Sequence, residues 1–383
     1  MLAHRREAAH HLASALLADP EAVPALVLQG FGLRKLARRD RFAAIEGVLA
    51  RCPPTDQPRD RALFEALAAW LADDGPGAAD RLDAQLTSDP RDLLVMKLAH
   101  GVRFMLGDSR GMLRSVERVV AAHDETDANF GFLLGCHSFA LEENGSYEAA
   151  ERAGRRGLEL EPNDVWGAHA VAHVMFMQKR HDEGARWLHA FSPRLDGCTN
   201  LAGHVYWHEA LCLHELGRSD EALDLLDQRI GPYLDADYRD LSNAVSLLFR
   251  LQRAGVDVGD RWGRYADFAF EREGDHGSAF ADVHYALALA GAGRVEDAAR
   301  FVASMAAARA AADLGFDATV MREVGVPLAT AIVDLYTGRA SEADRVFRAL
   351  SAEVQRIGGS HAQRALVSWI AAAAAESAGD VQP

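Results

Sequence analysis

The chain has 383 residues, 49% of them hydrophobic and only 8% aromatic, and carries a formal net charge of −15. Such a composition suits an alanine-rich helical protein with a large core. It argues against a nucleic-acid partner, because phosphate contacts need a basic stripe and the basic runs here stop at pairs such as Arg5-Arg6, Arg38-Arg39 and Arg155-Arg156. The first twenty residues are too polar for a signal peptide, and no apolar stretch reaches the roughly 18 residues of a membrane helix. Cys52, Cys136, Cys198 and Cys212 lack disulfide or CxxC spacing, so the expected setting is cytoplasmic, with reduced thiols.

In chain order, the pattern predicts divergent helix pairs over 1–90, at 22–36 with 40–51 and at 61–71 with 78–86. The run Cys52-Pro53-Pro54-Thr55-Asp56-Gln57-Pro58 is the one clear break between them. Helix pairs then repeat over 91–350 around turn positions at Gly107, Gly145, Lys179, Gly217, Gly255, Gly293 and Gly338, spaced 38, 34, 38, 38, 38 and 45 residues apart. Five places after a turn stands a small residue (Ala150, Gly184, Ala222, Ala298, Ala343). Seven places before it stands another (Ser138, Ala172, Ala210, Ala286, Ala331), which lets the two helices of a unit cross closely. The Gly107 and Gly255 units break this rule, with His100 and Met112 in one and Leu248 and Asp260 in the other. A capping helix is expected over 351–375 and a frayed tail over 376–383. The apolar face of 365–375, with no following repeat to cover it, suggests a homodimer.

This unit resembles the tetratricopeptide repeat, which implies an all-α, right-handed α-solenoid, a single superhelix over 1–383 of about eight helix pairs. Within it, Asp164-Val-Trp166-Gly-Ala-His169-Ala-Val-Ala-His173-Val174, His181-Asp-Glu-Gly184, His204-Val-Tyr-Trp207-His208, Val258-Gly-Asp-Arg261-Trp262 and Phe280-Ala-Asp282-Val-His284 resemble the tetratricopeptide repeat protein 38 family over roughly 130–300. The resemblance implies the fold and draws attention to the histidines; it implies no reaction.

His169 and His173 lie four apart on the first helix of one unit, and His204 and His208 four apart on the first helix of the next, so each pair shares a helix face. Counted back from their turns, these residues, with Trp207, His137 and His284, fall on the stripe that tetratricopeptide arrays turn toward their groove. A ligand site is therefore expected at His137, His169, His173, His204, Trp207, His208 and His284, taking a small molecule or short peptide. In an alternative, enzymatic reading (hydrolase or lyase), His173, His208, Asp282 and His284 serve as acid/base groups. A plain protein-interaction scaffold is the third reading. No cofactor is required, although His169, His173, His204 and His208 are suitable ligands for a divalent metal; neither pair has the zincin glutamate. Against all of these stands the bland alternative, in which each ring is a packed and hydrogen-bonded core histidine. Cys136-His137 diverge on a helix, Gly274-Asp-His276-Gly277-Ser278 suits a turn, and no P-loop, G-x-S-x-G or dinucleotide fingerprint is present. Asp240, Asn243 and Ser246 share a helix face as further polar candidates, with capping an equal role for Asp240; Trp166, Trp187 and Trp262 suit packing between repeats.

Overall fold

The computed structural model describes residues 2–233, 237–308 and 315–379; within them the chain is all-α, with one isolated β-bridge between Arg5 and Cys198. The array expected over 1–383 divides into two compact units, one of Met1–Lys35 with Phe42–Tyr233 and the other of Leu36–Arg41 with Leu234–Pro383.

The first unit contains α1 (Glu7–Ala18), α2 (Val23–Arg34), α3 (Phe42–Arg51), α4 (Pro58–Leu71), α5 (Gly75–Ser88), α6 (Leu93–Met105), α7 (Ser109–Val120), α8 (Phe130–Glu142), α9 (Tyr147–Leu160), α10 (Val165–Met177), α11 (His181–Phe191), α12 (Leu201–Glu215) and α13 (Ser219–Leu225). The second contains α14 (Tyr238–Arg253), α15 (Trp262–Phe270), α16 (Ala279–Gly291), α17 (Val295–Ala308), α18 (Phe316–Val320), α19 (Val326–Tyr336), α20 (Ala340–Leu350) and α21 (His361–Gly379). Within the repeats the two helices of a pair pack on one another, as α8 with α9 and α19 with α20, and first helices of adjacent pairs touch, as α8 with α10 and α10 with α12.

The periodic turns have one geometry. All seven positions carry positive φ: 69° at Gly107, 78° at Gly145, 59° at Lys179, 74° at Gly217, 79° at Gly255, 75° at Gly293 and 80° at Gly338. At each, the next residue's N–H donates to the carbonyl five residues earlier, from Asp108 to Arg103 through Arg339 to Asp334, at 2.8–3.0 Å. This is the Schellman closure, in which a left-handed residue turns the chain back while satisfying a terminal carbonyl. Asp73, with φ 64° and an Asp74 N–H donating to Ala69 at 2.9 Å, closes α4 the same way, 34 residues before Gly107. Having a side chain, it gave no glycine signal.

The small residues on either side of the turns are buried, Ala150, Ala210, Ala222, Ala286, Ala298, Ala331 and Ala343 all at 0% exposure. Between α8 and α9 the approach is closer still. A Cβ on Gly131 or Gly157 would meet the other's carbonyl oxygen at 2.7 or 2.8 Å, and Ser138 Oγ donates to the Ala150 carbonyl at 2.7 Å. The Gly107 unit buries its larger His100 and Met112 instead.

Two boundaries differ from the sequence reading. Helix α1 has no buried residue, so no amphipathic stripe announced it. Helix α21 starts only at His361 and runs to Gly379, into the expected tail, where Glu376 accepts from Arg253 at 2.7 Å; residues 380–383 lie outside the described residues.

Gly293 has open space where a Cβ would stand, so Gly293→Ala tests the backbone alone; it should cost about 1 kcal/mol. Ala286→Leu, at a crossing with no room, should cost roughly 1–3 kcal/mol. Denaturant titration with unchanged m-value checks both.

Candidate functional site

Asp164 caps α10, its carboxylate accepting from the N–H groups of Trp166 at 3.1 Å and Gly167 at 3.0 Å. The helix so started carries His169 and His173 one turn apart, and its neighbour α12 carries His204 and His208 at the same interval. The four rings meet. Nε2 of His173 lies 3.0 Å from Nε2 of His169, which lies 3.2 Å from Nε2 of His208, which lies 3.2 Å from Nε2 of His204. Each of the four offers a ring nitrogen within 4.8 Å of all the others. His169, His173 and His208 are 2%, 0% and 1% exposed, while His204 is half-buried.

Aromatic side chains wall the tetrad. Phe139 stacks on His169 at 5.8 Å and meets His173 edge-on at 5.4 Å; Trp166 lies 5.1 Å from His169. Trp207 stacks on His204 at 5.1 Å and meets His208 edge-on at 4.7 Å. Burial pushes the His169 imidazole well below its ordinary range, helped by His173, His204, His4 and Lys97, so it is neutral. At the back, Glu142 Oε2 on α8 stands 3.4 Å from His173 Nδ1, both side chains fully buried, with Glu143 beside them. A carboxylate drawn into a hydrogen bond with Nδ1 would fix the tautomer that leaves the lone pair on Nε2.

The sequence candidates divide. His169, His173, His204, His208 and Trp207 come together in the first unit. His137, in the same unit, is half-buried and outside the tetrad; burial lowers its pKa, with Glu117 opposing. Asp282 and His284 belong to the second unit. There, His284 Nδ1 donates to the Phe280 carbonyl at 2.7 Å, and burial lowers the imidazole to about 4. Asp282 Oδ2 lies 2.9 Å from Nδ1 of His276, whose Nε2 lies 2.9 Å from Ser304 Oγ. This Ser–His–Asp order repeats that of a hydrolase triad, but Ser304 sits inside α17, where the helix consumes its neighbours' backbone N–H groups. The relay ties the 274–278 loop, through its buried His276, to α16 and α17. Asp240, Asn243 and Ser246 are buried in α14, and Asp237, not Asp240, caps that helix. Trp187 and Trp262 pack with their indole N–H groups on the Ala168 carbonyl and the Gln252 side chain.

Sequence reasoning missed Glu142, Phe139, Lys97 and His100, and took Trp166 for packing alone. Charged residues inside otherwise apolar helices were the available signal: Lys97 in LLVMKLAH and Glu142 after FGFLLGCHSFAL.

Four imidazoles whose Nε2 atoms face one another can bind a divalent transition metal, for which imidazole is a preferred ligand. No family model matches the chain, so the likeness to the tetratricopeptide repeat protein 38 family remains a likeness of motifs. Among solved structures the chain is similar to the TPR domain of P58(IPK), at 12% identity over 84% of this chain and 99% of that one, with a TM-score of 0.22. The all-α assignment rests on this chain's own helices. Among the described residues, no helix is long and apolar enough to cross a membrane.

The cap of α10 has its own pH signature. Burial pushes the Asp164 carboxyl up to about 7, opposed by Lys97 and by its two backbone hydrogen bonds. Because the folded value lies above the unfolded one, this group's stabilisation is complete below about pH 4 and is lost as pH rises through 7. Asp164→Asn should remove that decline, flattening the stability profile between pH 4.5 and 7.5 in denaturant titrations.

Proposed function

We propose that the first unit is a metal-binding module, with zinc held by Nε2 of His169, His173, His204 and His208. The convergence of the four nitrogens carries this reading. A ring nitrogen has one proton or one lone pair, yet Nε2 of His169 and of His208 each face two neighbours at 3.0–3.2 Å. Hydrogen bonding alone would make those contacts share a single proton or lone pair. A cation uses all four lone pairs at once. Tetrahedral zinc with Zn–N bonds of about 2.0–2.1 Å separates its nitrogens by about 3.3 Å, close to the 3.0–3.2 Å of the three successive contacts, with every pair within 4.8 Å.

Glu142 supports the assignment as the carboxylate behind His173, the arrangement that orients metal-bound histidines. Three ligands are buried and His204 is half-buried, so His204 is the ligand whose release would open a coordination position to a small molecule. The function that follows is binding of a small molecule at a metal ion, inside an aromatic-walled site, and not peptide capture along an extended groove.

Metal analysis of protein purified without chelator should find one zinc per chain. His173→Ala or His208→Ala should lose it while the helical circular dichroism signal is kept. Glu142→Gln should retain the site but weaken zinc about 10–100-fold in competition with a chromogenic chelator. Protein that neither carries a metal nor takes up zinc stoichiometrically would refute the reading.

A further inference from the structure

Beside the tetrad, one ring away, is a second cluster with no place in metal ligation. Lys97 on α6 is 7% exposed. Its Nζ lies 3.5 Å from Cys136 Sγ and 4.5 Å from the centre of the Trp166 ring, and it has no ion-pair partner among the described residues. The thiol is not its counter-ion: burial pushes Cys136 up, away from the thiolate. Asp164 feels the Lys97 charge, but its oxygens are taken by the α10 backbone.

One turn along α6, His100 is 2% exposed, and both of its ring nitrogens are buried without a hydrogen-bond partner. It packs against Phe139 at 5.9 Å and Trp166 at 5.7 Å, and the charges of Lys97 and Lys35 both act on it. His4 stacks on Trp166 at 5.4 Å; this segment is held by the Thr199 N–H donating to the His4 carbonyl at 2.8 Å. A buried ammonium and a buried, unpartnered imidazole are both expensive to keep. Such groups persist where a ligand completes them.

We infer that Lys97 and His100, with the face of Trp166, receive the carboxylate of a small organic acid. The ammonium supplies the counter-charge, one His100 nitrogen donates a hydrogen bond, and the indole and Phe139 flank the planar group. Trp166 also touches His169, so an acid seated here extends toward the tetrad. The inference deepens the metal reading by giving the class of molecule bound beside the ion, yet it stands on different residues and can fail separately.

The test is calorimetric titration of the full chain, zinc-loaded and metal-free, with acetate, succinate and benzoate, using benzamide as the uncharged control and inorganic phosphate as a rival anion. At least one carboxylate should bind saturably at one per chain, and benzamide should not. Lys97→Met, which keeps the stem, and His100→Phe should each weaken that binding at least tenfold, with zinc content unchanged. Lys97→Met should melt no lower than the parent, because it removes an uncompensated buried charge; a packing lysine would melt lower. Lys97-dependent carboxylate binding in protein that takes no zinc would uphold this site and defeat the metal reading. Zinc uptake with no carboxylate bound, with binding indifferent to Lys97→Met, or with phosphate bound in preference would overturn the inference.

Discussion

Two helices, α10 and α12, approach so closely that four imidazoles share one water-poor volume, and the first unit's chemistry depends on that. Burying a polar ring is unfavourable unless its nitrogens are engaged. Here each ring borrows from the next: Nε2 to Nε2 across three contacts of 3.0–3.2 Å, with Glu142 behind His173 and aromatic faces filling the rest. Burial first, and the neighbouring His173, His204, His4 and Lys97 second, hold the His169 imidazole well below its ordinary range. Convergent and shielded, the nitrogens are arranged as a metal requires and as a hydrogen-bond chain does not.

The repeat makes that convergence possible. In each of these pairs the first helix ends in the same left-handed closure, so a residue at a fixed distance before one turn falls on the same face as its counterpart one unit on. His169 and Trp207 both stand ten places before their turns, and the one-residue offset of His208 from Trp207 swings its ring into the group. Because this geometry is periodic, it was legible: glycines at near-constant spacing and small residues at fixed offsets disclosed the helix pairs, and the H-x3-H spacing disclosed the tetrad. Asp73 was not legible, because it carries no glycine and, unlike Lys179, has no turn position on its N-terminal side to place it by spacing, and α1 was not, because it buries nothing. Glu142 and Lys97 could be seen as charges out of place in apolar helices, but their partners lie on other helices, and one sequence does not say which. Asp282 and His284 show the limit of register counting: they share the stripe but engage His276 and the Phe280 carbonyl within the second unit.

The second unit uses the same residue types for a different end. His276 is held at φ 41° with its ring between Asp282 and Ser304, an order of groups that would read as catalytic on a strand-to-helix elbow. On the interior of α17 it works as a clasp. The contrast supports treating histidine clusters by what their nitrogens face: in the clasp each nitrogen has one partner of the opposite kind, whereas in the tetrad nitrogens face nitrogens, and at His100 they face no hydrogen-bond partner.

Anomalous diffraction at the zinc absorption edge, from crystals of the protein as purified, tests this account most directly. It predicts one anomalous peak per chain, about 2.0–2.1 Å from Nε2 of His169, His173, His204 and His208. Zinc-supplemented crystals with no peak at the tetrad, or with the ion bound only at surface carboxylates, would contradict it.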